Sequence, residues 1–174
     1  MIYKFVIISG EEESFSREFE LDENNTLLDF HNAIQEELEY ESSHLASFFT
    51  ATNKWEKEEE FTLFDMGSNT TTMEEIIIDD VIINDNQKLL YIFDLFNERA
   101  LFIECIGEVE MIVGREYPIC VQSHGKPPLQ IIMNGFTSST IDIDDLSQGE
   151  SIPEDESDLP EFDEIDDIDD FDEL

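Results

Sequence analysis

Ile2-Tyr3-Lys4-Phe5-Val6-Ile7-Ile8-Ser9, the polar Gly10-Glu11-Glu12-Glu13, Ser14-Phe15-Ser16-Arg17-Glu18-Phe19-Glu20-Leu21 and, past Asp22-Glu23-Asn24-Asn25, Thr26-Leu27-Leu28-Asp29-Phe30-His31-Asn32-Ala33-Ile34-Gln35 form the stretch that decides the fold. The first two runs are strand-like: β-branched and aromatic residues dominate, and Phe15, Phe19 and Leu21 fall on alternate positions with Arg17 among them. Joined by a glycine and three glutamates, they predict a hairpin. The period then changes. Leu27, His31, Ile34 and Leu38 recur at spacings of four, three and four, which places them on one helical face, while Gln35, Glu36 and Glu39 fall on others. Thr26 followed three residues later by Asp29 supplies an N-cap and an acid in the first turn, so an amphipathic helix is expected to end near Tyr40.

Beyond the helix, Leu45 to Thr50 and Glu59 to Phe64 are short and aromatic, as strands are, with Trp55 between them. Residues 65–73 are polar and read as a loop. Ile76 to Ile83 is β-branched but interrupted by Asp79-Asp80, so a strand and a short helix both fit. Lys88 to Leu95 and Ala100 to Met111 flank Phe96-Asn97-Glu98-Arg99 as a second hairpin. Pro118, Pro127 and Pro128 make the last folded segment, to about Phe136, an edge strand or loop. The order implies an α+β fold: a mainly antiparallel sheet packed by one principal amphipathic helix, with a β-grasp-like start.

Charge sets the boundary. The 174 residues carry 45 acidic and 8 basic side chains. Residues 137–174 hold 17 of the acids and no base, about −0.45 charge per residue, with Pro153 and Pro160 breaking any long helix. Such a segment gains too little apolar burial to offset the entropy of ordering, so residues 1–136 are read as the folded domain and 137–174 as a disordered acidic tail. The negative charge opposes direct binding to phosphate backbones and to anionic membrane surfaces, and favours a basic protein partner or cations. No segment has the length of a signal-peptide core or the roughly 18 apolar residues of a transmembrane helix, and two cysteines, Cys105 and Cys120, lack both metal-ligand spacing and disulfide density, so a cytoplasmic location is expected.

Thr26 to Gln35, His44-Leu45-Ala46-Ser47-Phe48-Phe49 and Leu89-Leu90-Tyr91-Ile92-Phe93-Asp94 together resemble the signature of the plasmid pRiA ORF-three-like family, named after an open reading frame of an Ri plasmid. The resemblance spans roughly residues 1–112, and the acidic tail is similar to that of one bacterial subgroup. It implies an α+β fold and no established biochemical activity. Typical members follow the aromatic strand with an Asp-Phe-Gly-Asp-x-Trp turn, where this chain has Asp94-Leu95-Phe96-Asn97-Glu98-Arg99, and many have Trp where Phe15 stands.

Chemistry-bearing patterns are sparse. The chain lacks a nucleophile elbow, a phosphate-cradling loop and a dinucleotide fingerprint, so no catalytic residue and no cofactor is assigned. Asp142 to Gly149 begins with calcium-loop alternation but has Ser147 where the loop needs glycine; weak, delocalised divalent-cation binding is what remains. His31, His44, Trp55 and Asp94 are the candidates for a ligand pocket, the alternative being a hydrogen-bonded core histidine at 31. The sharpest pattern is in the tail: Leu159, Phe162, Ile165, Ile168, Phe171 and Leu174 recur every three residues among acids. A period of three drifts by about 60° per step on an α-helix but aligns on an extended three-fold conformation. Apolar residues embedded in such charge point to a linear motif that orders on a basic partner, and proteins that handle nucleic acid are one candidate class. The expected function is thus a non-enzymatic interaction module; a small-ligand or enzymatic domain, and a tail that only confers solubility, are the alternatives.

Overall fold

In the computed structural model, residues 1–65, 67, 70–84 and 86–131 are described; the expectation of a disordered tail, and its six apolar positions, lie outside them. The first hairpin forms as read, β1 (Ile2–Ser9) against β2 (Ser16–Asp22), antiparallel, with Phe5 opposite Phe19. The helix α1 (Leu27–Leu38) starts on a full capping box, in which Asp29 N donates to Thr26 Oγ1 and Thr26 N donates to Asp29 Oδ2. It ends where Glu39 turns left-handed (φ 55°) and Tyr40 N donates back to Gln35 O.

The remaining elements are β3 (Ser47–Ala51), β4 (Lys57–Thr62), β5 (Thr71–Thr72), α2 (Ile78–Val81), β6 (Lys88–Asp94), β7 (Arg99–Val109) and β8 (Ile119–His124). Residues 76–83 resolve as a short helix rather than a strand: Thr26 and Ile77 bridge, and Ile78 and Val81, one turn apart, drop into the core. Among the described residues eight strands form one sheet in the order β5-β4-β3-β6-β7-β1-β2-β8, antiparallel except for β4 with β5. The fold is therefore α+β, a mainly antiparallel sheet carrying one principal helix.

Phe30, at the centre of α1, holds the layers together. Its ring lies 5.4 Å from that of Phe5, 5.6 Å from Phe19 and 5.6 Å from Phe48, and Phe48 meets Tyr91 at 4.9 Å. Leu89, Tyr91 and Phe93 of β6 face this cluster, whereas Leu90 and Ile92, pointing the other way, join Ala51, Phe49, Trp55 and Phe102 in a smaller one. The last segment is an edge strand, β8, paired to β2 with Val121 as an extra residue between Cys120 opposite Phe19 and Gln122 opposite Glu18. A short, bulged strand followed by Pro127 and Pro128 is a poor template for further pairing. Gly125, left-handed at φ 67°, turns the chain away from β8 where any Cβ would collide with the Ser14 carbonyl.

Candidate functional site

Two arginines that the strand pattern presents as ordinary charges are buried and anchor the end of the domain. Arg17, 5% exposed on the core side of β2, pairs through Nε with Glu37 of α1 at 2.8 Å and donates from Nη1 to His124 O (2.7 Å) and Gly125 O (3.2 Å). Arg99, at the start of β7, grips Glu11 through two parallel bonds of 2.9 and 2.7 Å, donates to Leu129 O (2.6 Å) and Gln130 O (3.0 Å), and stacks over Phe93. Tyr40 Oη donates to Pro128 O at 2.6 Å, and Gln130 and the Glu41 backbone exchange two hydrogen bonds. Residues 125–131 are thus strapped across the C-terminal end of α1 to the β6–β7 turn.

That turn is itself built by a carboxylate. Asp94 accepts from Asn97 N at 3.0 Å and Asn97 Nδ2 at 2.7 Å, and lies 3.7 Å from Arg99 Nη1. Partial burial pushes its carboxyl up, but the Asn97 hydrogen bonds and the Arg99 charge outweigh that and hold it below the usual carboxylate range. Next to the turn is a cleft of about 410 Å³ lined by His44, Leu45, Asp94, Leu95, Phe96 and Ile131, among others. A second, of about 260 Å³, shares Leu45 and Leu95 and adds Phe64.

Of the four pocket candidates, the structure brings His44 and Asp94 to one cleft and places the other two elsewhere. His31 is 2% exposed, and its Nδ1 lies 2.9 Å from Tyr91 Oη, which Gln35 Nε2 reaches at 2.5 Å. Gln35, expected on an outer face of the helix, is buried for this reason. Burial pushes the His31 imidazole down to about 4, so it is neutral at physiological pH, with Nδ1 in hydrogen-bond contact with the Tyr91 hydroxyl. Trp55 lies on the opposite face of the sheet, its ring 5.0 Å from Phe102 and 4.4 Å from Lys88 Nζ. Burial pushes the Cys120 thiol up to about 11, which removes nucleophilic character at neutral pH. Among the described residues no group of three His, Cys, Asp or Glu side chains could hold a metal ion, and no helix is long and apolar enough to cross a membrane.

What sequence reasoning missed here is the Arg17 and Arg99 anchorage and the second role of Asp94 as the builder of a turn. The one signal for the latter was the Asp-x-x-Asn spacing after an aromatic strand.

An eight-stranded sheet carrying one principal helix, closed by an arginine-bound strap and bearing an apolar cleft at the β6–β7 turn, defines an α+β domain among the described residues. The family model described as Plasmid pRiA4b ORF-3-like protein matches residues 2–165, and the chain belongs to that family. The match runs well past the roughly 112 residues over which the motifs resemble it. No curated protein sequence matches the chain. Among solved structures it is similar to the crystal structure of a protein of unknown function from Methanosarcina mazei Go1, with 23% identity and a TM-score of 0.60 over 70% of this chain and 68% of that one, a likeness of fold.

Proposed function

We propose that this protein is a non-enzymatic, cytoplasmic interaction module whose acidic C-terminal segment binds a basic partner protein, with proteins that handle nucleic acid as one class of such partner. The observation that carries this reading is how the scarce cations are used. Five of the eight basic side chains, Lys4, Arg17, Lys57, Arg99 and Arg115, are ion-paired within the domain, and Lys88 stacks on Trp55. Residues 1–136 still carry 28 acids against those 8 bases, so their excess carboxylates, like the 17 of residues 137–174, require an external cation. A basic partner would be drawn in by long-range attraction and held by Leu159, Phe162, Ile165, Ile168, Phe171 and Leu174.

The test replaces Phe162, Ile165, Ile168, Phe171 and Leu174 by Ser in the full chain, at constant charge. Retention of a basic protein from nuclease-treated lysate should fall in this variant and fall steeply with added salt. Retention indifferent to the five substitutions overturns the anchoring role. A second reading, a small-ligand site, rests on the shared cleft of His44 and Asp94. It predicts that His44→Ala abolishes stabilisation by such a ligand.

A further inference from the structure

The β6–β7 turn exposes apolar side chains that its own hydrogen bonds hold in place. Phe96 is 93% exposed and Leu95 41%, on a turn that Asp94, Asn97 and Arg99 tie down. Around them Leu45, Phe64 and Ile131 are also exposed, and Leu45 and Leu95 form a ridge between the two clefts. Single exposed hydrophobics are ordinary, whereas a cluster of five beside concave apolar space is characteristic of a contact surface. Among the described residues the clefts are lined by the acids Asp94 and Glu60 and by no Lys or Arg, because the nearby Arg99 is buried and paired. This charge rejects nucleic acid, anionic lipid and, with a net −37 per chain, a second copy.

We propose that the surface around Leu45, Leu95 and Phe96 is a docking site for a basic peptide segment whose two apolar side chains enter the clefts on either side of the Leu45–Leu95 ridge. The proposal rests on the reading above, that the partner is a basic protein, and adds a second point of attachment on the folded domain. Ile131 lines the cleft, and the first acid of the C-terminal segment, Asp142, follows eleven residues later in sequence, so a partner engaged by that segment is kept at high local concentration near the cleft.

The test uses the full chain and two labelled Lys-rich ten-residue peptides, one with two Leu anchors and one with Ser in their place, followed by fluorescence anisotropy. The Leu peptide should bind about ten-fold more tightly than the Ser peptide, and Phe96→Ser, alone or with Leu95→Ser, should remove that difference. Because Phe96 is nearly fully exposed, its substitution should leave the melting temperature unchanged, which separates lost docking from lost folding. In the five-serine tail variant the difference should persist. Equal binding of the two peptides, or a difference untouched by Phe96→Ser, overturns the docking site. A difference lost only in the tail variant assigns the anchors to the tail and overturns the cleft alone.

Discussion

On the face of the sheet that carries α1, alternate residues of the central strands are large and closed from water: Phe5, Phe19, Phe48, Tyr91, Leu101 and Ile103 pack under Phe30 and Ile34. On the other face, Ala51, Leu90 and Ile92 share a cluster with half-covered Phe49, Trp55 and Phe102, and no helix of the described residues lies over it. Its cover comes partly from cationic side chains: Lys57 Nζ sits 4.9 Å from the Phe49 ring centroid and pairs with Glu98, and Lys88 Nζ sits 4.4 Å from that of Trp55 and donates to Asn53 O. On the helical face buried polar groups meet one another, as in the Gln35, Tyr91 and His31 chain, which leaves Gln35 Oε1 without a partner among the described residues. The difference also shows where the cations go: in a chain this acidic, basic residues serve as roof and strap, and the surface left over is negative.

The sharpest way to break this contrast is to remove the ring at the centre of the dry face. Phe30→Ala should destabilise the domain by about 4 kcal/mol, because a closed aromatic cluster leaves a cavity that cannot collapse. Denaturant unfolding would measure it, and a loss near 1 kcal/mol would mean that the helix adapts.

His31 tests the same dryness by titration. Its folded pKa is depressed from 6.5 to about 4, so between those values the unfolded chain binds the extra proton and stability falls as the pH falls. The contribution is fully present above pH 6.5 and lost by about pH 4, up to ~3 kcal/mol. His31→Gln, which removes the titrating imidazole but keeps a polar side chain beside Tyr91, should flatten the stability profile in that window relative to the wild type. Parallel profiles would show that water reaches the imidazole.

The smallest effect belongs to the open face. Trp55→Ala should cost about 1.5 kcal/mol, since the ring is half covered before it is removed. A loss as large as that for Phe30→Ala would make the two faces equivalent and erase the distinction.

Much of this fold was legible because its signals are local. The alternation in Phe15 to Leu21, the change of period at Thr26 and the Thr26–Asp29 box depend on residues within a turn or two of one another, and the structure reproduces them with ends shifted by one or two residues. The β6–β7 hairpin was legible for the same reason. Residues 76–83 were not, because Ile and Val at i and i+3 around two acids satisfy either geometry, and it is the Thr26 bridge that selects the helix. Of the candidate site, Asp94 and His44 were found by residue type, but their common cleft depends on a strap from residues 125–131 that no spacing announces.

The hairpin, the capped helix, the antiparallel α+β order and the concentration of acid toward the C-terminus are written in periodicity and charge, which are properties of neighbouring residues. Contacts between distant segments alone place β1 between β2 and β7 and β6 between β3 and β7, bury Arg17 and Arg99, and bring His31 to Tyr91, 60 residues away. An alternating strand presents the same pattern to any neighbour, and an arginine reads as surface until a carboxylate and free carbonyls from distant segments converge to neutralise it.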